Sequence, residues 1–200
     1  IDIDVFPVDD LKENLFDAHK GKDAGICTEP MQPHFREIYN VVGITSANDK
    51  HWTNLLKNTW DIDYSYDDKG RPMVYNTGVM IFSKAGLKKA KETWPSFQEY
   101  VDKVRSYNFP NFFSLYQDYA SAFLHMNGFE FERMDNDWNR YVHKLGSSPN
   151  ATVNDTRSEN TKFVHIMFSG ADDWDEETLH RVTNLPIAEW KPPVRETWPN

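Results

Sequence analysis

The feature that most constrains this chain is its alternation of short apolar segments with segments of helical periodicity. Strand patterns, rich in apolar and β-branched residues, are predicted at 1–5, 23–29, 39–47, 73–84, 129–134 and 161–170. Helical patterns are predicted at 9–21, 49–60, 85–107 with a break at Pro95, 113–128 and 175–184. Such alternation predicts an α/β sandwich built on a mixed sheet.

The size and charge of the chain restrict the kinds of protein that it can be. Its 200 residues suffice for one domain with a real core, and we expect this domain to span 1–185. Residues 186–200 are rich in proline and are predicted to form an extended tail. The net charge of −9 argues against nucleic acid as the main partner. No apolar run is long enough to span a bilayer, so no integral membrane segment is predicted.

The cysteine content and the glycosylation sequons provide information on the cellular compartment of the protein. Cys27 is the only cysteine, so the chain cannot form an internal disulfide, and its apolar setting predicts a buried small side chain. Sequons at Asn150 and Asn154 lie in the polar stretch Gly146–Thr161, which predicts a surface loop. The sequence favours a soluble protein, cytoplasmic or membrane-peripheral, and the sequons leave a secretory route open.

Two carboxylates near the start of the chain form the first candidate site. Asp2 and Asp4 alternate with Ile1, Ile3 and Val5, which is the pattern of a strand with both carboxylates on one face. Close carboxylates repel each other unless a cation lies beside them, and oxygen ligands suit Mg²⁺ or Mn²⁺. Asp2 and Asp4 are therefore predicted to bind a divalent cation.

The same Asp-x-Asp spacing recurs at 61–63 and 135–137, so the spacing alone does not identify a site. Asp61 and Asp63 belong to the polar segment "WDIDYSYDDKG", which predicts a solvated loop. The first triplet instead precedes a predicted change from strand to helix. We therefore favour Asp2 and Asp4 over Asp61 and Asp63.

His165 is the second candidate ligand, in the apolar segment "KFVHIMFSG". A histidine in such a segment is by default a hydrogen-bonded core residue. The following Ser169 and Gly170 favour a functional role. A neutral imidazole can complete a Mn²⁺ site begun by two carboxylates, and Gly170 lets backbone N–H groups approach a phosphate.

Four motifs occur in the order seen in GT-A-fold glycosyltransferases. They are "IDIDVFPVDDL", "YNTGVMIF", "QDYASAFLHMNGFEFERMDNDWNRY" and "FVHIMFSG". They resemble the glycogenin and bacterial lipopolysaccharide galactosyltransferase group, and the resemblance covers most of residues 1–170. The resemblance implies a GT-A-like three-layer α/β sandwich with a mixed, mostly parallel central sheet.

The resemblance also implies roles for the residues of the predicted metal site. Asp2 and Asp4 would match the D-x-D motif and hold Mn²⁺ or Mg²⁺ against the diphosphate of a nucleotide sugar. His165 would match the late metal-binding histidine of the family, and Gly170 would lie near the diphosphate. The loop "HIMFSGADDW" departs from the family pattern, because it lacks the lysine that would meet a phosphate.

The resemblance also implies roles for residues beside the donor sugar and at the reaction centre, here called the sugar-side residues. Asn76, Thr77 and Gly78 match the family segment that lies beside the donor sugar. Gln117 and Asp118 stand where the family has an Asp-Gln pair at the reaction centre, in reversed order. An inverting enzyme needs a general base near the acceptor hydroxyl, and Asp118 is the first candidate. A retaining enzyme would need no such base, and the sequence leaves the two outcomes open.

The expected activity is transfer of a sugar from a nucleotide-diphosphate sugar donor to a glycan or other hydroxyl acceptor. The family places nucleotide-binding βα units before its D-x-D strand, so we expect this chain to lack part of the N-terminal nucleotide-binding half. Two alternatives stay open. One is a non-catalytic carbohydrate-binding or structural module with a degenerate transferase fold, and the other is an unrelated hydrolase that attacks phosphoesters with clustered aspartates.

Overall fold

The chain combines strands and helices, which confirms the predicted α/β class. A computed structural model describes residues 1–8, 10–28, 42–68, 70–109, 111–145, 152–168 and 174–184. The described residues form seven strands: β1 (Val5–Pro7), β2 (Ala24–Thr28), β3 (Tyr75–Phe82), β4 (Phe131–Arg133), β5 (Arg140–Leu145), β6 (Thr152–Asp155) and β7 (Phe163–Phe168). They also form five α-helices: α1 (Val42–Trp60), α2 (Lys84–Thr93), α3 (Phe97–Ser106), α4 (Tyr116–Phe123) and α5 (Glu176–Asn184).

The chain divides into two compact units. One, here called the terminal unit, comprises Ile1–Ala18 and Met134–Asn200, and the other, the central unit, comprises His19–Arg133. A single domain over 1–185 stays a prediction. The proline-rich tail at 186–200 lies outside the described residues.

The central unit is built on a sheet of order β3-β2-β4. Strand β2 pairs antiparallel with β3 and parallel with β4. The turn "DDKGRP" leads into β3 as predicted, with Gly70 at φ 73° and the N–H of Asp67 donating to the carbonyl of Arg71 at 2.8 Å. Helices α2 and α3 are separated at Pro95, which confirms the predicted break.

Aromatic side chains fill the core of the central unit. Trp52, Tyr100, Phe113 and Phe123 are all buried in one cluster. The Trp52 indole N–H donates to the Tyr100 hydroxyl at 3.0 Å, and that hydroxyl donates to the Phe113 carbonyl at 2.7 Å. Because the polar ends of Trp52 and Tyr100 are hydrogen-bonded, burial of these two rings leaves neither polar end unsatisfied.

The terminal unit is built on a sheet of order β1-β7-β5-β6. Strand β7 pairs antiparallel with β1 and parallel with β5, and β5 pairs antiparallel with β6. Buried Val142, Val164 and Ile166 from the sheet pack with Val182 of α5. The predicted strand at 161–170 and helix at 175–184 are confirmed.

The two sheets are mixed, as predicted, but they are not mostly parallel. Of the five strand pairings in the described residues, three are antiparallel and two are parallel. The resemblance implied one central sheet, whereas the described strands form one sheet of four strands and one of three. Periodicity locates strands along the chain, but strand partners depend on contacts between distant segments.

The predicted strand at 1–5 is wrong. The N–H of Val5 donates to the carbonyl of Asp2 at 3.3 Å in a turn, and β1 begins only at Val5. Ile3 is 99% exposed, so its apolar side chain is not part of a buried strand face. Alternation over five residues is too short to require a strand, and of these residues only Asp4 and Val5 are seen to pair with β7.

Two other segments also differ from prediction. The helix predicted at 9–21 is reduced to a 3₁₀ turn at Leu15–Ala18, where Phe16 is 72% exposed and no residue is buried. The strand predicted at 39–47 overlaps α1, which begins at Val42. The apolar face of 9–21 has few neighbours to pack against, so a longer helix is not stabilised there. In 39–47, the helix that begins at Val42 outweighs the local preference for a strand.

Strands β5 and β6 were not predicted. Strand β6 lies within Gly146–Thr161, where a surface loop was expected. Its sequence, "TVND", lacks apolar alternation, and it is an edge strand defined by its pairing with β5. None of the helices in the described ranges is both long and apolar enough to cross a membrane.

Candidate functional site

Asp4 and His165, which lie near opposite ends of the sequence, are neighbours in the terminal unit. Asp4 Oδ2 lies 3.3 Å from His165 Nε2. The imidazole is buried, whereas a third of the aspartate side chain is exposed. Solvent therefore reaches this pair through the carboxylate.

The pairing of β1 with β7 brings the two side chains together. Val5 lies opposite His165 in the antiparallel register. The N–H of Ile166 donates to the carbonyl oxygen of Asp4 at 2.8 Å, which carries the pairing one residue beyond the start of β1. Asp4 is thus held through its backbone carbonyl as well as through the contact of its carboxylate with His165.

Asp2 does not share a strand face with Asp4. It is exposed and lies in the turn that precedes β1, so the predicted alternation of their side chains is wrong. Among the described residues, no three His, Cys, Asp or Glu side chains form a group that could hold a metal ion. A role for Asp2 in metal or diphosphate binding stays a prediction.

The remaining pair has the chemistry and spacing of two ligands of one cation. Ligands bound about 2.1 Å from an octahedral ion in adjacent positions are about 3 Å apart, close to the observed distance. Carboxylate suits Mg²⁺ and Mn²⁺, and imidazole suits the transition metals, so Mn²⁺ accommodates both. His165 Nδ1 is buried with no hydrogen-bond partner in the described structure, whereas metal-bound histidines usually donate from that second nitrogen.

Comparisons of the chain with protein families, with curated proteins and with solved structures found no match.

The residues predicted to lie beside the donor sugar form a bulge in β3. Pairing with β2 shifts register between Ile26 and Cys27, which leaves Thr77, Gly78 and Val79 outside the regular ladder. The buried Asn76 side chain accepts the N–H of Gly78 through Oδ1 at 2.8 Å. The observed contribution of Asn76 is therefore to shape the bulge, and contact with a sugar stays a prediction.

Gln117 and Asp118 lie in the first turn of α4, and both are partly buried. A carboxylate at this end of a helix is stabilised by the helix dipole. Burial, followed by the nearby Asp118 charge, raises the pKa of Tyr100. Helix α4 packs against β3, so the predicted sugar-side residues lie on two elements that are in contact within the central unit.

The sequence did not single out His125, which hydrogen-bonds through both ring nitrogens. Its Nδ1–H donates to the Ser121 carbonyl at 2.8 Å, and its Nε2 accepts the Ser65 hydroxyl at 2.6 Å. These roles follow because a carbonyl only accepts. Burial lowers its pKa to about 4. The only sequence signal was a histidine at the end of an apolar helix.

The remaining residues considered in the sequence analysis are either described by the structure or lie outside the described residues. Lys57 Nζ lies 2.8 Å from Asp61 and 2.9 Å from Asp63, and both carboxylates are exposed, as predicted. The segment is not solvated throughout, because Ile62 and Tyr64 are buried. Cys27 is fully buried, as predicted. Gly170 and Asn150 lie outside the described residues.

Proposed function

We propose that this protein is a metal-dependent glycosyltransferase. It transfers a sugar from a nucleotide-diphosphate sugar to a hydroxyl of a glycan or other acceptor. The observation that carries the proposal is the 3.3 Å distance between Asp4 Oδ2 and His165 Nε2. The ordered motifs predicted that these two residues serve one ion. A GT-A-like three-layer framework is part of the same proposal.

In this proposal the chain's own residues bind and orient the donor. Asp4 and His165 supply two ligands, and Asp2 and Gly170 meet the diphosphate, as the resemblance implies. A Mn²⁺ or Mg²⁺ ion held there would supply positive charge against the negative charge that develops on the departing nucleoside diphosphate.

The resemblance assigns the sugar-side residues, which all lie in the central unit, a role of their own. Thr77 and Gly78 present the bulge of β3 to the sugar, and Gln117 contacts its hydroxyl groups. Asp118 accepts the proton of the acceptor hydroxyl if the reaction inverts configuration. If it retains configuration, Asp118 positions the sugar instead.

Calorimetry with the full chain tests the metal assignment. Mn²⁺ is titrated first, and a panel of UDP- and GDP-sugars is then titrated in its presence. We expect Asp4→Asn and His165→Asn each to weaken Mn²⁺ binding by about 100-fold, because each removes a ligand. The matched control is Asp61→Asn with Asp63→Asn, a second Asp-x-Asp pair that is exposed and bonded to Lys57.

Equal Mn²⁺ affinity in the control and the two ligand variants would refute the metal assignment. Release of nucleoside diphosphate in the presence of an acceptor then tests catalysis. A non-catalytic carbohydrate-binding module is the second candidate, and it is favoured by the departure of the loop "HIMFSGADDW" from the family pattern. That module predicts glycan affinity that does not depend on Mn²⁺, with no release of nucleoside diphosphate.

A further inference from the structure

A small cavity lies in the central unit between α1 and the segment that follows α3. Its volume is 260 Å³, and its lining includes His51, Asn54, Asn58, Tyr107, Asn108 and Phe109. Here it is called the amide pocket. Pockets for drug-sized ligands occupy about 300–1,000 Å³, so this one suits a single small ring. It contains none of the residues assigned to the metal or the donor, so the inference is independent of the proposed function.

One face of α1 forms the polar wall of the amide pocket. His51, Asn54, Leu55 and Asn58 follow the spacing i, i+3, i+4 and i+7, which aligns them along the helix. Leu55 is buried and forms the base of this wall. The Asn54 and Asn58 side chains are exposed, so their amides are accessible to a ligand.

Two aromatic rings form the opposite wall. Tyr107 and Phe109 are stacked, with ring centroids 6.5 Å apart and an interplanar angle of 26°. Phe109 also packs edge-on against the buried Phe113 at 5.4 Å, which anchors the wall to the core. Tyr107 is 59% exposed and offers ring surface to a ligand.

The backbone between the rings has a specific conformation. Asn108, which lies between them in sequence, adopts φ 55° just after the end of α3. Asparagine tolerates this left-handed conformation better than most residues. The two rings and the Asn108 amide are thus held by the helix end rather than by a long loop.

The lining is polar but carries little charge. Among its described residues there is no carboxylate, lysine or arginine, and only His51 and Tyr107 can ionise. Lys103 lies beside the lining, with its Nζ 5.5 Å from the Tyr107 ring centroid. The lining itself offers no full charge that would favour a phosphate or a metal ion.

We propose that the amide pocket binds one neutral pyranose ring of a glycan. Each asparagine amide can donate and accept at once, which matches a hydroxyl group that does the same. The negative face of the Tyr107 ring packs against the weakly positive C–H face of the sugar. Asn54 and Asn58 bond the hydroxyls on one side, and Tyr107 covers the other.

NMR titration of the isotope-labelled full chain tests this proposal. The probes are methyl α-D-glucopyranoside, methyl β-D-galactopyranoside and methyl α-D-mannopyranoside, with inorganic phosphate as the anionic comparison. We expect the side-chain amide signals of Asn54, Asn58 and Asn108 to shift with at least one pyranoside and not with phosphate. The expected Kd is on the order of 1 mM, as for a small ligand with few contacts.

Substitutions at Tyr107 and Asn58, together with a matched control, distinguish a loss of pyranoside binding from a loss of folding. Tyr107→Ala is expected to weaken the pyranoside affinity at these amide signals by about tenfold, or ~1.4 kcal/mol. Its matched control is Tyr116→Ala, since Tyr116 is also exposed and stacked on a phenylalanine, Phe97. Asn58→Ala, at an exposed position, is expected to weaken binding to a similar degree.

Three outcomes would overturn the proposal. In the first, no pyranoside shifts the amide signals. In the second, phosphate shifts them as strongly as the sugars do. In the third, Tyr107→Ala binds as tightly as Tyr116→Ala while both variants retain the circular dichroism spectrum of the parent chain.

Discussion

At the scale of single residues, His125 shows how burial sets a charge state. Its ring lies against Tyr64, with centroids 4.4 Å apart, and against Tyr75 and Phe131. Burial disfavours the imidazolium and lowers the pKa to about 4, although the bond to the Ser121 carbonyl partly opposes this shift. The native protein therefore holds a neutral histidine that the unfolded chain protonates near its ordinary pKa of 6.5.

This difference predicts acid sensitivity with a defined pH window. Between pH 6.5 and about 4 the unfolded chain binds a proton at His125 that the folded chain does not bind. The contribution of neutral His125 to the free energy of unfolding is fully present above pH 6.5. It falls by about 1.4 kcal/mol per pH unit as pH decreases through this window. We expect urea unfolding, measured at intervals from pH 7 to pH 4, to show this slope, and His125→Gln to flatten it.

The control for this prediction is His180→Gln, because His180 is exposed on α5. Its unfolding should follow the pH dependence of the parent chain. Burial also lowers the pKa of His143, which adds to the same slope and stays in both variants. If His125→Gln and the parent chain lose stability in parallel, the neutral buried His125 is not the cause.

At the scale of elements, α2 is seated unusually close to the start of β2. A Cβ added at Gly86 would lie 2.0 Å from the carbonyl oxygen of Asp23. Ser83 caps the helix by accepting the Gly86 N–H at 2.9 Å, and its own N–H donates to the same Asp23 carbonyl at 3.0 Å. The cap and the close approach therefore fix the helix against the strand at one point.

Gly86→Ala is predicted to destabilise the protein by about 3 kcal/mol. Replacing glycine by alanine in a helix normally stabilises a protein by about 0.5–1 kcal/mol. A loss of stability would therefore result from the clash with the Asp23 carbonyl and not from helix propensity. Chemical unfolding followed by circular dichroism measures the change. Lys91→Ala, at an exposed position on the same helix, should change stability by less than about 0.5 kcal/mol. A neutral or stabilising Gly86→Ala would show that α2 can move away from β2.

At the scale of the whole molecule, the cores of the two units draw on separate segments. The central core is formed within His19–Arg133. The terminal core joins β1, β5, β7 and α5, which come from both ends of the chain. Each core can therefore be disturbed by substitutions in its own segments.

Substitutions near the first strand are predicted to act on the terminal unit alone. Val5→Asn places an amide at a position that is 7% exposed, whereas the matched Ile3→Asn changes a side chain that is 99% exposed. We expect Val5→Asn to lower the hydrogen-exchange protection of β5 and β7 by about 100-fold and to leave β2 and β3 protected. Ile3→Asn should change neither. An equal loss of protection in both units would show that they unfold as one cooperative structure.

Much of the secondary structure could be predicted because its signals are local. Pro95 separates two helices, Gly70 turns the chain before β3, and the apolar run around His165 forms a buried strand. Each of these depends on backbone geometry or side-chain period within a few residues. The prediction failed where the local signal was short, as at Asp2, or absent, as in β6.

The sequence by itself determined the α/β class and most helices and strands, and it named the residues proposed to bind a metal. Only the tertiary structure decided the division into two sheets, the bulge at Asn76 and the pairing of β1 with β7. That pairing places Asp4 beside His165, while Asp2 is left in a turn. The physical reason is that side-chain periodicity extends over a few residues, whereas strand register and burial are set by contacts between distant segments.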